Sequence, residues 1–309
     1  MTDRRKRFTR LVLVISLLFV GSASAQQSIL PDTASVPEIA DPIYPGGDGS
    51  TICLDAAHNN LHTVHQGYVA FGKLLRKDGY QLKSNSETFE KTIPDHCKIL
   101  VIANALNERN LGGNWNLPTP SAFTDKEIDN LVDWVSKGGS LFLIADHMPF
   151  PGAAETLVTS FGFTFINGFA LKEEQTWPPS LFRKSEGTLH STELTEGIDS
   201  VASFTGQAFQ IPEEAQSIMT FNNQYYALMP DTAWRFKEST PSQMIEGWSQ
   251  GAFMKFRKGR LVVFGEAAMF SARKLVQNDL KVGFNDRKSH QNVKLLLNII
   301  HWLDGQTKQ

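Results

Sequence analysis

Short apolar runs alternate with amphipathic stripes along most of the chain, and several of the runs end at polar or charged residues. The clearest run, Leu141 to Ala145, is apolar at every position and predicts a strand buried on both faces of a sheet. It stops at Asp146 and His147, and Pro149 prevents further ladder pairing. In an open parallel sheet, residues just past the carboxyl end of a strand line the ligand crevice.

Other runs repeat this pattern. Strands are predicted over Thr51–Asp55, over Ile99–Ala103 with Asn104 after it, and over Arg260–Phe264 with Glu266 two residues on. The last of these forms a predicted hairpin with residues 252–256, and a short strand is predicted at residues 80–82. One helical stripe begins with Tyr68, a second follows His147, and a third occupies residues 292–303. Thr124 and Glu127 form a capping box that starts another helix. Strands alternating with helices predict an α/β layered fold with a mostly parallel sheet.

Between residues 163 and 249 the helical signal fades, and short β-like runs separated by Pro, Gly and Ser replace it. We interpret this region as an added, partly antiparallel β region with long loops, carried by one α/β domain over residues 49–305. A separate small domain is the less favoured alternative. Residues 26–48 are rich in Pro, Ser, Asp and Gly, and predict a linker or an arm that follows the surface.

The N-terminus has the pattern of a secretory signal peptide over residues 1–25. Basic residues precede the apolar run Leu11 to Val20, and Ala23-Ser24-Ala25 provides a cleavage site. We therefore expect cleavage after Ala25 and a periplasmic or secreted protein with no membrane segment afterwards; an uncleaved anchor helix is the alternative. The formal net charge of −2 gives no reason to expect nucleic-acid binding.

Two cysteines are present, Cys53 and Cys97. Export permits a disulfide. However, Cys53 lies near the end of one predicted strand and Cys97 before the start of another, so two parallel neighbours would hold the thiols at different depths. We therefore expect buried free thiols.

If the four strands are parallel, their polar ends converge on one rim of the sheet, and this rim is the predicted site. We assign three catalytic candidates and four substrate-binding candidates: His147, Asp146 and Glu266, and then His58, Asn60, His62 and Asn104. An Asp-His pair can act as a general base on water. The same side-chain types are ligands for Zn²⁺ or another divalent ion, so a divalent metal cofactor is an alternative that the sequence allows. We assign no metal ligands.

Nucleophilic catalysis is poorly supported, because the turn from Ala145 to Pro149 contains neither Ser nor Cys. Aromatic residues are frequent in the loops, which supports a second hypothesis, a binding module for a glycan, peptide or protein. Core packing is the simpler explanation of these aromatics, which are Trp115, Trp177, Phe182, Tyr225, Tyr226 and Trp234.

The run 99–103 followed by residues 123–144 resembles class I glutamine-amidotransferase-like domains. Segments 55–62, 145–154, 265–271 and 298–303 more closely resemble a branch of unknown function found in exported bacterial proteins. The resemblance covers roughly residues 50–170 and 245–305 and implies a flavodoxin-like three-layer sandwich. It does not imply amidotransferase activity, because the nucleophilic cysteine of that family is absent. Relatives include non-catalytic sugar- or partner-binding domains.

Two functional hypotheses follow. The first is an exported hydrolase that activates water at the rim, with or without a metal ion, on a small polar or carbohydrate-derived substrate. The second is a non-catalytic periplasmic module that binds a glycan, a peptide or another protein.

Overall fold

The computed structural model describes residues 29–35, 37–172, 179–275 and 280–306. The predicted signal peptide, residues 1–25, and Trp177 lie outside these ranges. The α-helices within these ranges are α1 (Val69–Lys77), α2 (Asp125–Ser136), α3 (Phe150–Thr159) and α4 (Asn292–Asp304). The strands are β1 (Ile29–Pro31), β2 (Thr51–Asp55), β3 (Gln81–Asn85), β4 (Ile99–Ala103), β5 (Ser140–Ile144), β6 (Thr164–Phe165), β7 (Phe169–Lys172), β8 (Ser180–Arg183), β9 (Ser200–Ser203), β10 (Phe209–Gln210), β11 (Gln216–Thr220), β12 (Tyr225–Leu228), β13 (Ser242–Met244), β14 (Ser249–Phe256), β15 (Gly259–Phe264), β16 (Ala272–Leu275) and β17 (Leu280–Gly283).

The central sheet has the strand order β3-β2-β4-β5-β15-β14-β10-β6, and β11 also pairs with β14. The first five of these strands are mutually parallel, whereas β14 and the strands beyond it are antiparallel. The predicted α/β fold with a mostly parallel sheet is therefore confirmed. The carboxyl ends of β2, β4, β5 and β15 lie at one rim, as the sequence predicted.

Two apolar cores cover the two faces of this sheet and make it the middle of three layers. In β4, Ile99 and Val101 face the core that contains α1 and α4, and Leu100 and Ile102 face the core that contains α2. The α2 capping box is formed as predicted, with Thr124 accepting from the Glu127 N–H and the Glu127 carboxylate accepting from the Thr124 N–H. Alternation of this kind is the physical basis of the sandwich, because each fully apolar strand buries both of its faces.

The predicted β-rich region contains the expected short strands and others that the sequence did not indicate. Strands β7, β12 and β13 form a separate three-stranded sheet, and β8 pairs with β9. The missed strands β8 and β13 carry Ser, Arg and Gln, so they lack the apolar alternation on which the prediction relied.

The described part of the segment before β2 begins with a strand that joins a small antiparallel sheet. Strand β1 pairs antiparallel with β16, which pairs with β17. Asp32 also accepts a hydrogen bond from the Asn285 side chain at 2.9 Å. Among the described residues, no helix has the length and apolar character needed to span a bilayer.

The prediction of free thiols is wrong. Cys53 and Cys97 form a disulfide with a Cα–Cα distance of 5.6 Å. Residues before β4 do not extend along the strand direction; they turn at Pro94, whose carbonyl accepts from the Cys97 N–H. This turn carries Cys97 onto the face of the sheet where Cys53 is buried. Such a buried disulfide is typical of proteins outside the reducing cytoplasm.

Candidate functional site

Hydrogen bonds join the predicted rim residues into one chain along the strand ends. The Asn60 amide donates to Asp55 and its oxygen accepts from the Ala103 N–H at 3.0 Å. The Asn104 side-chain oxygen accepts from the Asp146 N–H at 2.9 Å. The two asparagines therefore hold the strand ends together. Both ends of the Asn60 amide are occupied in doing so, and so is the side-chain oxygen of Asn104.

His58 is a closed ion-pair centre. Its Nδ1 lies 2.9 Å from Asp55 and its Nε2 lies 2.9 Å from Glu127, and the ring packs between Phe89 and Phe123. Burial by itself lowers the pKa of His58, but the hydrogen bonds and charges of the two carboxylates outweigh burial and raise that pKa. Burial raises the pKa of Glu127, but the Thr124 N–H and His58 outweigh it and lower that pKa. Both ring nitrogens are occupied, so His58 has no atom left for a substrate.

Sequence reasoning found Glu127 only as a helix cap. The capping pattern gave no sign that the same carboxylate also reaches back to a histidine on the other side of the loop.

Asp146 and Glu266 form an acidic pair on neighbouring strand ends. Asp146 accepts from the His147 N–H at 2.8 Å, from the Thr205 hydroxyl at 3.0 Å and from the Ala267 N–H at 3.3 Å. Glu266 is completely buried, and its two oxygens accept from the backbone N–H groups of the following turn, each at 2.8 Å. Burial, and next the charge of Asp146, raise the pKa of Glu266 well above its ordinary value.

His147 lies in an aromatic surrounding at the end of β5. Its ring stacks on Phe169 with centroids 4.6 Å apart and meets Trp234 edge-on at 4.6 Å. Its Nδ1 lies 2.7 Å from the Met148 carbonyl oxygen. Burial lowers the pKa of His147, although the nearby Asp146 charge and the Met148 carbonyl act in the opposite direction. Trp234 adopts a left-handed backbone conformation, with φ of 65°, which is costly for a bulky residue and places its ring against the histidine.

His62 stacks on Tyr68 on the α1 side of the rim. The ring centroids are 4.7 Å apart and the planes almost parallel. Burial, and next the charge of Arg273, lower the pKa of His62 to about 3, so this ring is uncharged at neutral pH. The Tyr68 hydroxyl donates to the Ala267 carbonyl at 3.0 Å, and burial together with the Glu266 and Asp146 charges raises its pKa.

Tyr68 and Arg273 were not predicted as site residues. The spacing of Tyr68 shows only that it belongs to the apolar stripe of a helix, and nothing in the sequence links Arg273 to a rim formed by earlier strands.

The aromatic residues divide into two groups. Phe182, Tyr225 and Tyr226 are buried, which fits the core-packing explanation. Trp115 and Trp234 are half-buried and contact the small apolar cluster around Met148 and Phe169 beside His147. A pocket of about 140 Å³ lies in the loop of residues 231–241, and none of its lining residues belongs to the acidic pair.

One group of three metal-ligating residues occurs in the described part of the chain: Cys53, His96 and Cys97. Its two sulfur atoms are bonded to each other in the disulfide, so they are not available as thiolate ligands. The rim residues do not form such a group within the described residues.

Fold and rim together define a flavodoxin-like α/β sandwich with polar side chains at the carboxyl ends of its parallel strands. No protein-family model matches the sequence, and no curated protein matches it. Solved structures do share the fold. The N-terminal domain of mmIFT52 is 15% identical with a TM-score of 0.56, covering 82% of this chain and 97% of that one. At this identity the likeness shows the fold alone.

Looser neighbours include a ThuA-like protein from Bacteroides uniformis, which is 13% identical with a TM-score of 0.46 and covers 87% of this chain and 94% of its own. A cytoplasmic protein from Salmonella typhimurium is 11% identical with a TM-score of 0.46, covering 84% of this chain and all of its own. No activity follows for this chain from either likeness.

Proposed function

We propose that this protein is an exported hydrolase in which His147 activates water against a small polar or carbohydrate-derived substrate. The main support is the state of the His147 ring. A carbonyl oxygen can only accept, so Nδ1 carries the proton that is shared with Met148 at 2.7 Å. Nε2 therefore holds the lone pair, and no described residue hydrogen-bonds to it. Because burial lowers the pKa, the ring is uncharged at neutral pH, as a general base requires.

Asp146 supports this role electrostatically. Its negative charge favours the protonated form of His147 and so stabilises the imidazolium that forms when the ring takes a proton from water. Three hydrogen bonds fix the Asp146 carboxylate in place. Glu266 is a positioning residue in this proposal. It is fully buried, it orders the turn after β15, and its raised pKa limits the negative charge that faces Asp146.

The metal-assisted form of the mechanism has less support. It would need three ligand side chains to converge at the rim, and the described residues show no such convergence there. Water activation by His147 with Asp146 is therefore the form we propose.

The test is hydrolysis of a panel of chromogenic esters, amides, glycosides and phosphate esters by the wild type and by His147→Ala. Loss of a general base lowers the rate by about 10²–10⁴-fold. His65→Ala is the matched control, because His65 is an exposed histidine of the same region. Equal rates for wild type and His147→Ala, or no hydrolysis of any compound by the wild type, would refute the proposal.

A non-catalytic binding module is the second candidate. The half-buried Trp115 and Trp234 beside His147 favour it, since exposed parts of aromatic rings provide stacking surface at low entropic cost. Tryptophan fluorescence titrations with glycans and peptides would separate the two candidates. A saturable change that Trp234→Ala removes, without any hydrolysis, would support binding alone.

The export part of the proposal rests on the A-x-A site and on the buried disulfide. N-terminal sequencing of protein from a fractionated bacterial host should give a chain that starts at Gln26 in the periplasm or medium. A cytoplasmic chain that retains residues 1–25 would contradict it.

A further inference from the structure

Arg273 is a half-buried cation in β16 for which the proposed mechanism has no use. Burial lowers the pKa of Arg273, and the charges of Asp146 and Glu266 act in the opposite direction. Nevertheless, no ion pair within 4.0 Å joins it to a carboxylate of any described residue, and its guanidinium makes no hydrogen bond within those ranges. Its own backbone carbonyl accepts from Asn285, so the strand around it is fixed.

A buried charge without a direct partner is costly, and proteins usually remove such costs by pairing or hydrogen bonding. The charges of Asp146 and Glu266 offset part of this cost at the half-buried Arg273, but no described residue makes a direct contact with its guanidinium that removes the rest. The position is therefore suited to an anionic group that arrives with a ligand, because a guanidinium binds the two oxygens of a carboxylate or phosphate in a fork-shaped geometry.

His62 provides an independent sign of a missing partner at the same place. The side chain is 2% exposed, its Nδ1 is buried, and neither ring nitrogen hydrogen-bonds to a described residue. The ring is held by Tyr68 on one side and by Gly67 on another, where a Cβ would lie 2.1 Å from Nδ1. Position 67 thus requires glycine, both for this close approach and for its φ of 80°.

Helix α1, preceded by the Tyr68 on which His62 stacks, contacts β16, the strand that carries Arg273. The charge of Arg273 also acts on the His62 ring. An uncharged imidazole N–H can donate to an anion without repelling the guanidinium beside it. The pair therefore offers a cation and a neutral donor next to the acidic pair.

We propose that Arg273 and His62 form a subsite for an oxyanion, a carboxylate or phosphate group carried by the substrate. This inference rests on the proposed hydrolase function and deepens it, because it states what the substrate must carry. It would position the substrate on the α1 side of the rim.

The experiment measures the thermal unfolding midpoint during titration with sodium acetate and, separately, inorganic phosphate, at constant ionic strength maintained with chloride. The wild type should show a saturable rise with at least one of the two anions. Arg273→Gln should weaken the apparent affinity by about tenfold or more, which corresponds to the loss of charge-assisted hydrogen bonds. Arg273→Lys keeps the charge without the fork and should give an intermediate affinity.

Lys274→Gln is the matched control, because Lys274 is the exposed neighbour on the same strand and its removal should leave the affinity unchanged. An unchanged response in folded Arg273→Gln and Arg273→Lys, or no saturable response of the wild type to either anion, would overturn the proposal. Asp146→Asn separates the two proposals. It should abolish hydrolysis but retain anion binding. Saturable anion binding by a wild type that hydrolyses no compound of the panel would instead show that only the catalytic proposal has failed.

Discussion

Two histidines at the same rim have opposite surroundings. His58 has a carboxylate 2.9 Å from each ring nitrogen, and these contacts raise its pKa. His62 lies four residues further along the chain. Its ring has no hydrogen-bond partner among the described residues, and burial together with the charge of Arg273 lowers its pKa to about 3. Both were predicted to bind substrate from the same argument about strand ends. The difference shows that a position at the rim does not by itself indicate a substrate-binding role. Side-chain atoms without a hydrogen-bond partner distinguish residues that are free to bind a ligand from residues that hold the structure together.

The largest expected effect comes from opening the closed centre. His58→Ala leaves Asp55 and Glu127 buried without their shared partner, and breaking a buried ion pair of this kind costs about 3–5 kcal/mol. Urea unfolding would measure the free energy of unfolding, with exposed His65→Ala as the control. A loss as small as that of the control would mean that the His58 centre contributes no stability.

The second prediction uses pH to distinguish the two rings. The pKa of His58 is raised in the folded state, so its stabilisation is complete below the ordinary value of 6.5 and is lost as the pH rises through the folded pKa. The pKa of His62 is lowered to about 3, so its neutral form stabilises the fold above 6.5, and that contribution falls as the pH drops from 6.5 towards about 3.

The free energy of unfolding of the wild type should therefore fall on the acidic side because of His62 and on the alkaline side because of His58. His62→Gln should remove about 1 kcal/mol per pH unit from the acidic slope. His58→Gln should flatten the alkaline side instead. Identical pH profiles for the two variants would contradict the assignment of opposite pKa shifts.

The smallest expected effect concerns the hydrogen bonds that fix Asp146. Thr205→Val removes the hydroxyl that donates to Asp146 at 3.0 Å and should destabilise the protein by about 1–2 kcal/mol. Thr205→Ser keeps the hydroxyl and should remain near the wild type. If both variants lose the same stability, the methyl group and not the hydrogen bond is what matters at position 205.

The sheet was predictable because its strands are uniformly apolar and end at turn-forming or polar residues. Runs such as Leu141–Ala145 are apolar at every position, so they favour burial on both faces of a sheet. The capping box at Thr124 marks the start of α2 directly. The disulfide was missed because the direction of the chain before Cys97 depends on a turn at Pro94, whereas the argument assumed a straight approach to the strand.

The pairing within the site could not be predicted from spacing. Glu127 reaches His58 across 69 positions of sequence, and Arg273 approaches the acidic pair from a small separate sheet. Such contacts depend on how the layers of the sandwich pack on each other. A single sequence shows which residues belong to each layer, but not how one layer is positioned relative to the next.

The pairing of β1 with β16 has a practical consequence for producing the protein. Strand β1 covers one side of β16, and β17 covers the other. A recombinant chain that starts after Pro31 would leave the backbone N–H and C=O groups along one side of β16 without partners, and such a bare edge recruits strands from other molecules. Expression designs should therefore retain the arm from Gln26 onwards and place any affinity tag at the other terminus.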